Sequence, residues 1–72
     1  MQAAVEQAIK KIDFNIDMFS KYQPTPHVVG TLQNLRNERE ELLAWDKDPA
    51  VKLSYHAKQW MFEMPAWGYK GT

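Results

Sequence analysis

The stretch KYQPTPH, residues 21–27, decides the fold of this chain because it separates two long amphipathic segments. Pro24 cannot continue a helix, and it biases the residue before it away from helical geometry. Thr25 followed by a proline is a favoured pair for the cap and the first turn of a new helix. The stretch therefore predicts one helix over about 2–21 and a second over about 27–46.

The segment before this stretch carries an apolar stripe. Its members are spaced by four, three, four and three residues, which places them on one face of a helix. They are Val5, Ile9, Ile12, Ile16 and Phe19. Phe14 and Met18 stand four residues apart and well off this stripe, so they predict a second, smaller apolar patch on the same helix.

The segment after the stretch also carries apolar residues at helical spacing. Its apolar positions are Val28, Leu32, Leu35 and Leu42. Arg39 stands at the core position that this series skips, and the charged run over 36–41 is interpreted as a solvated helix face. A start of this helix at Thr31, after Gly30, is an alternative to the start near Pro26. Two helices of matching length with a short connection predict an antiparallel hairpin.

A third helix is predicted over about 49–64, with Asp48 as its N-cap and Pro49 at its first position. One face of this segment is predicted to carry Leu53, Ala57, Trp60 and Met64. The nearly opposite face is predicted to carry Val51, Tyr55 and Phe62. A helix that is apolar on two sides is expected to be covered on two sides. The hairpin covers one of them, so the other predicts a contact with the tail, a second copy of the chain or another protein.

The C-terminal residues 65–72 are predicted to form a tail that places two aromatic side chains after a helix-ending proline. Trp67 is expected to fold back over the third helix, and Tyr69, with Gly68 before it and Gly71 two residues after it, is expected to reach a partner. Tryptophan and tyrosine are enriched at binding hot spots. The predicted partner-binding residues are Phe14, Met18, Tyr55, Phe62, Trp67 and Tyr69.

Composition limits the classes of function. The 72 residues suffice for one small domain, and the absence of cysteine excludes disulfides and thiolate metal sites. Nine basic residues balance nine acidic ones, so general electrostatic binding of nucleic acid or of an anionic membrane has no support. No apolar run approaches the roughly 18–20 residues of a membrane span, and the N-terminus lacks the features of a signal peptide. The sequence predicts a cytoplasmic protein.

Motifs for catalysis or metal binding are absent from the sequence. His27 is read as a residue of the second helix's first turn, and His56 as part of the polar edge of the third helix. Neither has a nucleophile and an orienting group at a useful spacing. The three glycines are too dispersed for a phosphate-binding loop. The sequence therefore predicts a protein that is not an enzyme and uses no cofactor or metal.

Two functions remain as hypotheses. The first is a small all-α protein that binds a protein partner, as an inhibitor, adaptor or assembly subunit, and that self-associates. Self-association is expected because so short a chain without disulfides needs reinforcement. The alternative is a homo-oligomer that sequesters a small anionic ligand, such as a nucleotide, between protomers. The negative charge of this ligand would be held by Arg36, Arg39 or Lys58, and an aromatic side chain would stack on the ring of the ligand.

Overall fold

A computed structural model of the chain describes residues 1–62. It contains the three helices α1 (Ala3–Ser20), α2 (Pro26–Lys47) and α3 (Tyr55–Phe62). Helices α1 and α2 pack against each other, and α3 packs on both. The predicted all-α fold, a helical hairpin with a third helix, is confirmed. None of the helices within residues 1–62 combines the length and the apolar character needed to cross a bilayer.

The connection between α1 and α2 follows the prediction from its prolines. Helix α1 ends where the N–H of Lys21 donates to the carbonyl oxygen of Met18. The Thr25 hydroxyl accepts a hydrogen bond from the N–H of Val28 at 3.3 Å, and Pro26 takes the first position of α2. The start near Pro26 is therefore confirmed over the alternative start at Thr31.

The two predicted stripes meet in the core. Buried side chains from all three helices and from the α2–α3 connection form one cluster with the members Val5, Ala8, Ile9, Ile12, Leu35, Leu42, Leu53, Ala57 and Trp60. Ile16 and Phe19 are partly buried against this cluster, toward the end of α1. The periodicity of the apolar residues therefore identified the faces by which α1 and α2 pack.

Two exposed polar contacts also join α1 and α2 in their antiparallel arrangement. Asp13 accepts a hydrogen bond from Arg39 Nε at 2.8 Å, and Asp46 accepts one from the backbone N–H of Gln2 at 3.0 Å. Residue 2 thus contacts residue 46, and residue 13 contacts residue 39. The residue number falls along α2 as it rises along α1, as antiparallel packing requires. Asp46 also places a carboxylate beside the first turn of α1, where the helix dipole favours negative charge.

The predicted start of the third helix at Asp48 and Pro49 is wrong. Asp48 ends α2 instead, and its carboxylate accepts a hydrogen bond from the N–H of Ala50 at 3.1 Å. Asp followed by Pro also suits the first two positions of a β-turn, and a turn forms here instead of a helix. The cap of α3 is Ser54, whose hydroxyl accepts a hydrogen bond from the N–H of Ala57 at 3.3 Å.

Candidate functional site

An open hollow of about 430 Å³ lies within residues 1–62, formed by the end of α2, the α2–α3 connection and α3. We call it the turn hollow. It is lined by Trp45, Pro49, Ala50, Val51, Lys52, Leu53, Lys58 and Met61. Most of these side chains are apolar, and the only charged ones are the two lysines.

The turn hollow exists because α2 ends before the third helix begins. The turn that starts at Asp48 carries the chain away from α2, and Leu53 returns it to the core, where its side chain is buried. Glu41 of α2 then accepts a hydrogen bond from the N–H of Ser54 at 2.9 Å, which ties the start of α3 to α2. Trp45 and Met61 are partly buried against the core and also line the hollow.

The charge of the turn hollow is positive. Lys52 and Lys58 are both exposed, and no acidic side chain of residues 1–62 lines the hollow. The ion pairs identified within residues 1–62 are Lys21 with Asp17 and Arg39 with Asp13, so neither lysine of the hollow takes part in one. An apolar surface bordered by two such ammonium groups favours a molecule that is itself apolar and anionic.

Of the predicted partner-binding residues, Phe14 and Tyr55 are the most exposed in the described part of the chain, at 58% and 66%. Met18 is half-buried. Trp67, Tyr69 and the side chain of Phe62 lie outside the described residues, as do the whole predicted tail and Met64.

The predicted second apolar face of the third helix needs one correction. Val51 belongs to the α2–α3 connection and lines the turn hollow, because α3 begins only at Tyr55. The side of this segment that meets the hairpin keeps Leu53, Ala57 and Trp60 as predicted, and all three are buried. Tyr55 therefore represents the outward face of α3 among the side chains that the structure describes.

The three cations predicted as alternative ligand-binding residues do not all line the turn hollow. Lys58 lines the turn hollow, whereas Arg36 and Arg39 do not. Arg36 is exposed on α2. Arg39 is bound to Asp13, and this hydrogen bond with the nearby negative charge raises the pKa of its guanidinium. The structure instead places Lys52 and Trp45 with Lys58, a combination that sequence reasoning missed. The sequence signal that could have revealed this grouping is the Asp48-Pro49 pair, if it is interpreted as the start of a turn.

A buried hydrogen bond joins α2 to α3 next to this site. The Trp60 indole N–H donates to Glu38 Oε1 at 2.5 Å, and both side chains are buried. The interpretation of residues 36–41 as a solvated face is therefore wrong for Glu38. Burial raises the pKa of the Glu38 carboxyl, with a further contribution from Glu41, and it outweighs the lowering by the Trp60 hydrogen bond and by His56.

This raised pKa predicts how stability depends on pH. A carboxyl group that is harder to ionise in the folded state stabilises the fold most when protonated, below its ordinary pKa of 4.5. That contribution is lost as the pH rises through the interval between 4.5 and the higher pKa of the folded state. We therefore expect Glu38→Gln, which keeps an acceptor but carries no charge, to gain stability relative to the wild type as the pH rises through this interval.

Urea unfolding followed by circular dichroism at a series of pH values measures this difference. Glu40→Gln is the matched control, because Glu40 is exposed on the same helix. The control should show no comparable change with pH. A Glu38→Gln variant whose stability relative to the wild type falls with rising pH would contradict the assignment.

No group of three or more histidine, aspartate or glutamate side chains in the described part of the chain is arranged to hold a metal ion. His27 is exposed in the first turn of α2, and the exposed His56 packs edge-on against the ring of Tyr55 at 5.7 Å between centroids. Comparison with protein-family models, with curated proteins and with solved structures finds no match to this chain.

Proposed function

We propose that this chain is a non-catalytic helical protein that acts by binding a protein partner and that it also associates with itself. The observation that carries the proposal is the exposure of two large aromatic side chains, Phe14 on α1 and Tyr55 on α3. The fold buries Trp60 almost completely, yet it leaves these two rings largely in water.

The positions of Phe14 and Tyr55 support binding at two places. Phe14 belongs to α1, whose packing against α2 uses the stripe that contains Ile9 and Ile12. Tyr55 begins α3, away from the face that carries Ala57. Burying one aromatic ring of this kind contributes about 1.5–3 kcal/mol, and aromatic anchors are typical of binding hot spots. Partner binding as an inhibitor, adaptor or assembly subunit is consistent with such anchors.

The other sequence predictions remain part of this proposal. They are the contact roles of Met18, Phe62, Trp67 and Tyr69, the absence of catalytic activity and cofactors, and a cytoplasmic location. Nucleic acids and membranes are not proposed as partners, because the net charge of the chain is zero. Sequestration of a nucleotide between protomers is the alternative function, and of its three predicted cations only Lys58 lies at the turn hollow.

Sedimentation equilibrium over a range of micromolar concentrations tests the self-association. We expect the wild type to be dimeric or larger, and we expect Tyr55→Ser or Phe14→Ser to weaken association about tenfold or more, as the loss of a hot spot does. Val29→Ser is the matched control, because Val29 is also exposed but is not a predicted contact residue. It should leave the association constant unchanged.

Two results would contradict the proposal. A wild-type protein that remains an 8.4 kDa monomer at all concentrations would exclude self-association and leave binding of a different protein. Binding of a different protein is tested by comparing the proteins that the wild type and the Phe14→Ser/Tyr55→Ser double variant retain from extract. Equal retention by both would contradict this part of the proposal, since neither ring would then serve as an anchor.

A further inference from the structure

We infer that the turn hollow binds a small amphipathic monoanion, an aromatic or branched alkyl group that carries a single carboxylate. This inference is independent of the partner binding proposed above, because it uses neither Phe14 nor Tyr55. It rests on the shape, the lining and the charge of the turn hollow.

The size of the turn hollow suits a small ligand. Its volume of about 430 Å³ falls within the range of roughly 300–1,000 Å³ that is typical of small-molecule sites. Such sites are lined mainly by apolar and aromatic side chains with a few polar groups. Here Trp45, Val51, Leu53 and Met61 supply the apolar surface.

The charges of the turn hollow select an anion. Lys52 lies on the α2–α3 connection and Lys58 on α3, so the two ammonium groups come from two different structural elements. Within residues 1–62, neither lysine forms an identified ion pair and no acidic side chain lines the hollow. A carboxylate bound there meets two positive charges and no negative one among the lining residues.

The lining also argues against a nucleotide in this hollow. Apart from the two lysines, the lining side chains of the described chain carry no hydroxyl, carboxyl or amide group, so ribose hydroxyls and base edges would have few side-chain hydrogen-bond partners. Desolvating those groups without replacement partners costs binding free energy. An apolar body with one anionic group fits the lining better than a polar ligand with several.

Titration of ¹⁵N-labelled protein with 4-phenylbutyrate, followed by NMR, tests the inference. We expect the probe to shift the backbone signals of residues 50–53 and the indole signal of Trp45. The neutral analogue 4-phenylbutan-1-ol should bind about threefold to tenfold more weakly, because it lacks the charge that the lysines attract. Adenosine monophosphate should leave these signals in place.

Variants at the two lysines identify the source of the selectivity. Lys52→Gln/Lys58→Gln should bring the affinities of the acid and the alcohol to within about twofold of each other, since only the charge term is removed. The control Lys10→Gln/Lys21→Gln removes the same net charge from α1 and its C-cap and should preserve the preference for the acid. All four lysines are exposed, so both variants are expected to keep the fold, which the NMR spectrum checks directly.

Several outcomes would overturn the inference. The first is the absence of shifts around the turn hollow at millimolar probe, and the second is equal binding of the acid and the alcohol by the wild type. Tighter binding of adenosine monophosphate than of phenylbutyrate would assign the hollow to the nucleotide alternative. Shifts of the same signals on simple dilution of the protein would assign it to a second copy of the chain.

Discussion

Replacing Trp60 by alanine is expected to abolish the folded state at 25 °C. Trp60 is 1% exposed and is the largest fully buried side chain in the described part of the chain. Truncating a buried aromatic residue to alanine costs about 3–5 kcal/mol, which is comparable to the whole stability of a small domain. The loss should appear in circular dichroism as a fall in helical signal at low temperature, or as the absence of a cooperative thermal transition.

A second substitution separates the two roles of this side chain. Trp60→Phe keeps an aromatic ring in the core but removes the N–H that donates to Glu38. We expect a loss of about 1–3 kcal/mol, which is the cost of leaving a buried polar group without its partner, in addition to a small cavity term. A Trp60→Ala variant that melts within a few degrees of the wild type would contradict the packing of α3 against the hairpin.

The second large effect is expected at the interface of the two long helices. Ile12 on α1 and Leu35 on α2 are both completely buried in the same cluster. Truncation of either one to alanine should cost about 2–5 kcal/mol, enough to unfold a marginal domain. Urea unfolding of Ile12→Ala and Leu35→Ala, compared with the wild type, measures this cost.

Val29→Ala is the control for this pair of variants. Val29 lies on α2 but is 52% exposed, so its truncation should change the stability by no more than about 0.5 kcal/mol. If Ile12→Ala or Leu35→Ala resembled this control, the helices would have to pack by other faces. If Val29→Ala were as damaging as they are, Val29 would have to be buried in solution.

The long helices could be predicted because each carries its own signals. The spacing from Val5 to Phe19 fits one face of a helix over four turns, and the prolines around Thr25 leave little choice for the break between the helices. Both signals are local in sequence. The packing of the hairpin is then determined, since two apolar stripes joined by a short connection can bury each other only in an antiparallel arrangement.

The third helix could not be placed from local signals alone. Asp48 and Pro49 satisfy the rules for a helix start and for a turn, and the choice between them depends on contacts made by more distant residues. Leu53 must reach the core, and Glu41 is placed to bind the N–H of Ser54. Burial of Leu53 and the hydrogen bond from Ser54 to Glu41 are both achieved when the chain first turns and then starts α3. Both are tertiary contacts, which local sequence signals do not report.

The turn hollow and the burial of Glu38 depend on the same nonlocal packing. A glutamate inside a run of charged residues is normally solvated, and only the arrival of Trp60 from α3 gives this one a buried partner. Lys52 likewise meets Trp45 at the hollow only because the helix start predicted at Pro49 does not form. The residues of the candidate site were visible in the sequence, but their grouping was not.

The construction of the turn hollow links ligand binding to folding. One wall carries Trp45 of α2, and another carries Lys58 and Met61 of α3. Helix α3 buries Ala57 and Trp60 against the hairpin, and packing of such a face supplies most of the stability of a helix in a protein, so its helical form is coupled to docking against the hairpin. A molecule that contacts both walls binds only the docked form, and mass action then stabilises docked α3 by RT ln(1 + [L]/Kd), where [L] is the free ligand concentration. Occupancy of the hollow and docking of α3 are therefore thermodynamically linked, so that each favours the other.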